Sequence, residues 1–262
     1  MESNVIFALS LSVLAGLATG IGSVMALFTK QTNTKFLAGS LGFSAGVMLY
    51  VAMVEIYKKA GVYLSESAGE VRGAILAAAF FFAGIVLIGV IDFFVPSTEG
   101  DIGSRGENPQ VSDSLRRMGF MTALAIGIHN FPEGLATFTS ALKEPHLGIA
   151  IAVAIAIHNI PEGIATSAPI FFATGSRKKA FYISFLSGMT EPVGALLGYL
   201  VLRPFFSDMV FGALFAVVAG IMVFIAIEEL LPMAREIEKS RITIIGAVVG
   251  MMIMAASLIL FM

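Results

Sequence analysis

Two copies of one polar motif lie 29 residues apart in strongly apolar surroundings. The first copy reads AIGIHNFPEGLAT (residues 125–137) and the second reads AIAIHNIPEGIAT (residues 154–166). The copies differ at three positions, and both keep the core His-Asn-x-Pro-Glu-Gly. Ionisable residues and prolines are costly inside an apolar segment, so a motif that carries both and occurs twice indicates a functional site.

The composition of the whole chain is typical of a membrane protein. Of its 262 residues, 57% are hydrophobic and 13% are charged, and the mean hydropathy is +0.91. Such a chain could not cover its surface with polar groups in water. The 16 Lys and Arg are balanced by 18 Asp and Glu, which leaves no basic surface for nucleic acid. Because the chain has no cysteine, disulfides and thiolate metal sites are excluded.

Eight segments are apolar and long enough to cross a bilayer, which takes roughly 20 residues. They are residues 5–28, 36–57, 71–95, 119–142, 147–172, 180–202, 209–231 and 242–261. The sequence therefore predicts an all-α, polytopic membrane protein with eight transmembrane helices in a single domain, residues 1–262. Polar residues and glycines in the longest connection, residues 96–118, predict a mobile loop.

The distribution of basic residues predicts the orientation. Eleven of the 16 Lys and Arg lie in the loops after predicted helices 1, 3, 5 and 7, and five lie on the other side. Cytoplasmic loops carry the excess of positive charge, so the odd-numbered loops, including residues 96–118, should be cytoplasmic. Both termini are then expected outside.

A second, weaker repeat relates the two ends of the chain. Residues 46–55 in predicted helix 2 resemble residues 220–229 in helix 7, and residues 16–22 in helix 1 align with residues 188–194 in helix 6. Helices 2 and 7 run in opposite directions in the predicted topology. Helices 1–3 and 6–8 are therefore predicted to form an inverted repeat around a central helix 4–5 pair. This symmetry is typical of transporters that bind their substrate near the bilayer midplane.

Seven side chains on predicted helices 4, 5 and 6 form a candidate metal site of two imidazoles, two amides and three carboxylates. They are His129, Asn130, Glu133, His158, Asn159, Glu162 and Glu191. In each motif the His and the Glu are four residues apart and share a helix face. This donor set suits zinc, iron or manganese better than calcium or magnesium. Two adjacent sites that share Glu133 and Glu162 would use all seven donors.

The prolines and glycines of the motifs have a structural role. Pro132 and Pro161 cannot donate a backbone hydrogen bond, so a kink at each is expected to free a carbonyl beside the metal ligands. Gly134 and Gly163, one residue after each motif glutamate, allow another helix to approach closely.

The paired motifs resemble those of the ZIP family of divalent-metal transporters, and are closest to its bacterial zinc uptake proteins, including the Glu191-Pro192 pair. The resemblance covers essentially the whole chain. It implies one metal site from His129, Glu133, His158 and Glu162, and a second from Asn130, Glu133, Asn159, Glu162 and Glu191. It also implies an elevator-like movement of helices 1, 4, 5 and 6 against helices 2, 3, 7 and 8.

The same resemblance implies what the protein carries and where. The expected substrate is Zn²⁺, with Fe²⁺, Mn²⁺, Co²⁺ and Cd²⁺ as further candidates, taken into the cytoplasm across a bacterial plasma membrane. No cofactor is expected, the lipid bilayer is the expected environment, and a homodimer is compatible with the family. Many members carry histidines in the loop after helix 3, but residues 96–118 contain none. A metal-sensing role for this loop is therefore not expected.

Two other functional classes can be weighed against transport. An intramembrane metalloprotease needs His-Glu-x-x-His, in which two histidines bind zinc and the glutamate activates water, and this string is absent. A polar-cored receptor or proton channel would not need paired sets of imidazole, amide and carboxylate.

Glu55, Glu228 and Glu229 lie near predicted helix ends, where they are either interfacial or part of a metal entrance or exit. His146 is expected in a short outer loop.

The predicted orientation can be tested because the chain has no native cysteine. A cysteine in place of Ser3 should react with a membrane-impermeant thiol reagent in intact cells or spheroplasts. A cysteine in place of Ser176 should react only after the membrane is opened. The reverse pattern would reject the orientation and the inverted repeat that depends on it.

Overall fold

The computed structural model describes residues 2–28, 34–94, 123, 127, 130–131, 133–205 and 207–260. Within these ranges nearly every residue is helical and no β-strand occurs. Among the described residues, seven helices are long and apolar enough to cross a membrane. The predicted all-α, multi-span class is therefore confirmed. The predicted loop at residues 96–118 lies outside the described residues, as does most of the predicted span 119–142.

The helices are numbered here by the predicted span to which they belong. In chain order they are α1 (Glu2–Phe28), α2 (Thr34–Ala68), α3 (Glu70–Phe94), α4 (residues 133–143), α5 (Pro145–Thr174), α6 (Arg177–Gly188 and Thr190–Leu202), α7 (Asp208–Ile237) and α8 (Ile242–Leu260). Only single residues separate α2 from α3 and α4 from α5. These two connections are therefore very short turns.

Several predicted helix ends were wrong. The loop expected after residue 57 is helical, and α2 continues to Ala68 before Gly69 ends it with a positive φ of 85°. His146 lies exposed in the first turn of α5 and not in a loop, because Pro145 at the first helical position favours helix initiation. Hydropathy detects the membrane-embedded part of a helix only, whereas the helix itself extends into the polar region.

Both long helices, α2 and α7, contain a π-helical segment. These segments are Ala52–Ile56 and Ile225–Leu230, and they lie at corresponding places in the two stretches aligned as residues 46–55 and 220–229. Glu55 lies in the first segment, and Glu228 and Glu229 lie in the second. These glutamates are therefore inside long helices, and the expectation that they lie near helix ends was wrong. π-Helical segments are frequent at functional sites.

The helices pack in two groups. In one group α2 packs along α8 and α3 packs along α7; in the other, α1 packs along α5 and against α6. The largest cluster of buried apolar residues belongs mainly to the first group. The two groups meet chiefly where α2 contacts α5, the helix that carries the second polar motif.

Backbones come close together within the first group. A Cβ atom on Gly46 of α2 would collide with the carbonyl of Ala247 in α8, and one on Gly220 of α7 would collide with the carbonyl of Phe81 in α3. The two glycines occupy equivalent positions in the weaker sequence repeat. Small residues therefore set the helix spacing here, as is usual where lipid removes the hydrophobic drive for association.

We expect Gly46→Ala to destabilise the protein, although alanine is the better helix former by about 1 kcal/mol. The added methyl group has no space against the carbonyl of Ala247, and overpacking typically costs about 1–3 kcal/mol. Gly61→Ala in the same helix is the matched control, because nothing lies within 4 Å of the added atom. Thermal unfolding in detergent should show a lower Tm for Gly46→Ala only. Equal Tm values for both variants would contradict this packing.

Candidate metal centre

The described members of the predicted site are all completely shielded from solvent. They are Asn130, Glu133, His158, Asn159, Glu162 and Glu191. The seventh predicted ligand, His129, lies outside the described residues. Because ionisable groups are expensive to bury in a membrane protein, their burial together requires mutual contacts or a bound cation.

The two copies of the motif meet through an imidazole and a carboxylate. His158 Nε2 of α5 lies 3.2 Å from Glu133 Oε2 of α4. The same nitrogen lies 4.0 Å from Glu162 Oε1, one turn further along its own helix. One imidazole nitrogen is therefore close to carboxylates from both copies. The shared face of His and Glu within a motif predicts the approach of His158 to Glu162.

A second pair of predicted ligands meets between α5 and α6. The Asn159 amide nitrogen donates to Glu191 Oε2 at 2.8 Å. Asn130 is buried but donates to a backbone carbonyl, that of Ser187, at 3.3 Å. The predicted residues thus form two local sets, Glu133 with His158 and Glu162, and Asn159 with Glu191.

The described side chains hold one another in this conformation. No group of three His, Asp or Glu side chains within the described ranges is arranged to surround an ion. Donors that a metal would use are engaged in the hydrogen bonds of His158 with Glu133 and of Asn159 with Glu191. An arriving ion would therefore have to replace these contacts.

Further oxygen atoms at the site retain binding capacity. Among the buried atoms without a hydrogen-bond partner in the described part of the chain are four oxygens of the site: Asn130 Oδ1, Glu133 Oε1, Asn159 Oδ1 and Glu191 Oε1. A buried polar group left unsatisfied costs about 1–3 kcal/mol. Amide and carboxylate oxygens of this kind are suitable ligands for a divalent cation, which would remove that cost.

Backbone carbonyls of α1 and α6 hold the two motif asparagines. Asn159 donates to the carbonyl of Ala15 at 3.0 Å, and Asn130 donates to that of Ser187. Ala15 precedes Gly16, and Ser187 precedes Gly188, the first residues of the two aligned stretches in helices 1 and 6. The same contact is therefore made twice, once by α1 on α5 and once by α6 on α4.

Two serines make a similar pair of contacts that the sequence analysis missed. The hydroxyl of Ser12 donates to the carbonyl of Gly134 at 3.3 Å, and that of Ser184 donates to the carbonyl of Gly163 at 3.2 Å. Extending the alignment of residues 16–22 with 188–194 towards the N-terminus matches these two serines. The sequence therefore contained this match, but a single serine in an apolar helix does not by itself indicate a functional contact.

The predicted close approach at the motif glycines is confirmed. A Cβ on Gly134 would collide with the carbonyl of Glu191, and a Cβ on Gly163 would collide with the carbonyl of Thr19. The main chains of α6 and α1 thus lie directly against the residues that follow the motif glutamates. Any side chain larger than hydrogen would push these helices away from the site.

Helix α6 is interrupted beside Glu191. The break falls at Met189, between Arg177–Gly188 and Thr190–Leu202. Pro192 has no N–H for the carbonyl of Gly188, four residues earlier. The predicted pairing of a carboxylate with a helix-breaking proline is confirmed, and Glu191 lies in the first turn after the break.

Comparison with known proteins identifies the family. The family profile described as ZIP Zinc transporter matches residues 97–258. The chain is 54% identical over 269 residues to Zinc transporter ZupT of Lysinibacillus sphaericus, with 99% of each chain covered. It is 54% identical over 263 residues to Zinc transporter ZupT of Streptococcus mutans, and 55% identical over 268 residues to that of Chlorobaculum parvum, with 100% of each chain covered. The chain belongs to the ZIP family.

Membership of the ZIP family settles the broad class of function. ZIP proteins are transporters and not enzymes, so the metalloprotease alternative is wrong. Of the buried site residues of this ZIP protein, His158, Asn159, Glu162 and Glu191 lie in helices of membrane-spanning length.

Proposed function

We propose that this ZIP protein carries zinc into the cytoplasm through a two-site metal centre formed by helices α4, α5 and α6. The observation that carries the proposal is the buried contact between Glu133 and His158, which joins the two motif copies. Imidazole and carboxylate together form a donor set that zinc prefers. The relatives named as zinc transporters are similar over their whole length, which supports the same substrate here.

In the proposed centre, two glutamates serve both metal sites. Glu133 and Glu162 both approach the same nitrogen of His158, and with His129 these residues form the first site. Asn130, Asn159 and Glu191 complete the second site around the same two glutamates. The contact of Asn159 with Glu191 and the available oxygens Asn130 Oδ1 and Glu191 Oε1 support this division.

The hydrogen bonds at the centre suit transport, since a transported ion must be released as well as bound. When the ion leaves, His158 can pair again with Glu133, and Asn159 with Glu191. After release, the carboxylates of Glu133 and Glu191 therefore keep a hydrogen-bond partner in this low-dielectric environment. This exchange of an ion for internal hydrogen bonds lowers the free-energy cost of release.

We also propose an inverted repeat and an elevator-like movement. The paired contacts support the repeat: α1 touches α5 through Ala15 and Thr19, and α6 touches α4 through Ser187 and Glu191, at equivalent positions. The matched π-helical segments of α2 and α7 support it as well. The division of the packing into α1, α5 and α6 against α2, α3, α7 and α8 supports a moving group that carries the centre past a fixed one.

Orientation and the wider substrate range complete the proposal. The excess of basic residues in the odd-numbered loops supports termini outside a bacterial plasma membrane, with import towards the basic side. The oxygen-rich second site supports iron or manganese as additional cargo, and cobalt and cadmium are further candidates. A homodimer is the assembly that the family resemblance favours. Proteoliposome flux with a panel of metals tests this range.

Substitutions at the shared and unshared ligands test the two-site arrangement. Glu133→Ala and Glu162→Ala should nearly abolish uptake of every metal, because each removes a carboxylate used by both sites. Glu191→Ala should impair iron or manganese uptake more than zinc uptake, because it removes a hard oxygen ligand. His158→Ala should impair zinc uptake more, because it removes an imidazole. The measurement is the initial uptake rate per transporter in cells that lack their own importers.

Two results would contradict the arrangement in different ways. Equal loss for every metal in all four variants would replace two sites by one shared site. Normal uptake by Glu133→Ala would reject the metal centre altogether. The Gly61→Ala variant of α2 serves as the expression-matched control, since nothing contacts the added atom.

A further inference from the structure

Thr19 of α1 is a buried polar residue to which neither motif assigns a role. Its side chain is fully shielded from solvent, and its hydroxyl has no hydrogen-bond partner within the described ranges. Most other buried hydroxyls in the described ranges are satisfied, because they donate to a carbonyl of their own helix, as Thr139 and Ser140 do. An unsatisfied buried hydroxyl costs free energy, so its presence indicates that it serves another purpose.

Thr19 is the counterpart of Glu191 in the other half of the molecule. The alignment of residues 16–22 with 188–194 matches the two residues. The contacts match them independently: the carbonyl of Thr19 lies against Gly163 of the second motif, and that of Glu191 lies against Gly134 of the first. Gly16 and Gly188 also face each other's carbonyls, each 2.6 Å from the position of an added Cβ.

The side chain of Thr19 lies at the turn of α6 that holds the first motif's asparagine. Its hydroxyl would be 2.8 Å from a Cβ on Gly188. The residue before Gly188 is Ser187, whose carbonyl accepts from Asn130 Nδ2. Asn130 Oδ1 also has no hydrogen-bond partner in the described part of the chain. Thr19 and Asn130 therefore both lie against residues 187–188 of α6, and each carries an unused oxygen.

In the other half of the molecule, the position equivalent to Thr19 carries the carboxylate of Glu191. There Asn159 donates both to the carbonyl of Ala15 and to Glu191 Oε2. Asn130 makes the equivalent backbone contact, to Ser187, but the residue equivalent to Glu191 is a neutral threonine. Both asparagines thus donate to an equivalent backbone carbonyl, and among the described residues Asn159 also donates to a carboxylate.

We infer that Thr19 Oγ1 is an additional, uncharged ligand of the transported divalent cation, opposite Glu191 and next to Asn130 Oδ1. This inference rests on the proposed metal centre and adds one residue to its oxygen-rich site. A hydroxyl and an amide oxygen bind a divalent ion more weakly than a carboxylate does. At these two equivalent positions the ion therefore meets a carboxylate on α6 and a neutral hydroxyl on α1.

Replacing the hydroxyl by a methyl group isolates this role. Thr19→Val keeps the shape of the side chain, and we expect it to raise the KM for Zn²⁺ uptake about tenfold. Thr19→Ser keeps the hydroxyl and should stay within twofold of the wild type. Thr19→Glu should lower KM and Vmax together, because a further carboxylate would hold the ion too tightly for release.

Thr243→Val is the matched control. Thr243 of α8 is also fully buried with an unsatisfied hydroxyl in the described structure, but it lies against Gly42 in the other group of helices. This variant should leave KM unchanged. If Thr19→Val fails to reach the membrane, Thr19→Ala removes the same hydroxyl without β-branching and is measured in its place.

The outcomes separate this inference from the proposed function. A KM within twofold of the wild type for Thr19→Val, or equal impairment of Thr19→Ser and Thr19→Val, would overturn the role of Thr19 even while Glu133→Ala is inactive. Normal uptake by Glu133→Ala would instead overturn the metal centre itself. Zn²⁺ titration of the purified Thr19→Val protein in detergent should show weaker binding, and unchanged affinity would also overturn the inference.

Discussion

The burial of ionisable side chains inside an apolar helix bundle is the constraint on which the rest of this structure depends. Glu133, His158, Glu162 and Glu191 are all removed from solvent, and each would be costly there alone. The contact between Glu133 and His158 joins the two motif copies and limits that cost. In the proposed metal centre, an arriving cation would have to replace this contact.

This polar centre requires the main chains of neighbouring helices to approach it closely, and glycines and serines make that approach possible. Gly134 and Gly163 leave room for the main chains of α6 and α1, while Ser12 and Ser184 bond to the carbonyls of these glycines. Carbonyl oxygens then reach the motif asparagines directly. The centre is therefore supported by backbone geometry, which resists substitution more than a shell of flexible side chains would.

The sequence predicted the features that depend on unusual residues, such as polar motifs in apolar spans. It was less informative about helix ends and backbone contacts. Paired motifs and apolar spans predicted the all-α membrane class, the meeting of Glu133 with His158, and the close approach at Gly134. Helix ends such as Ala68 were missed, because hydropathy reports burial in lipid and not helix length. The roles of Ala15 and Ser187 were missed because a backbone carbonyl has no signature in the side-chain sequence.

A scaffold built from similar halves raises the question of how it treats the two sides of a membrane differently. Equivalent contacts at Ala15 and Ser187, and at Thr19 and Glu191, make the two backbones alike. Charge is not alike, because one of those positions carries a carboxylate and the other a hydroxyl. In the metal centre that we propose, the side chains at Thr19 and Glu191 would therefore make one approach to the cation more strongly attractive than the other.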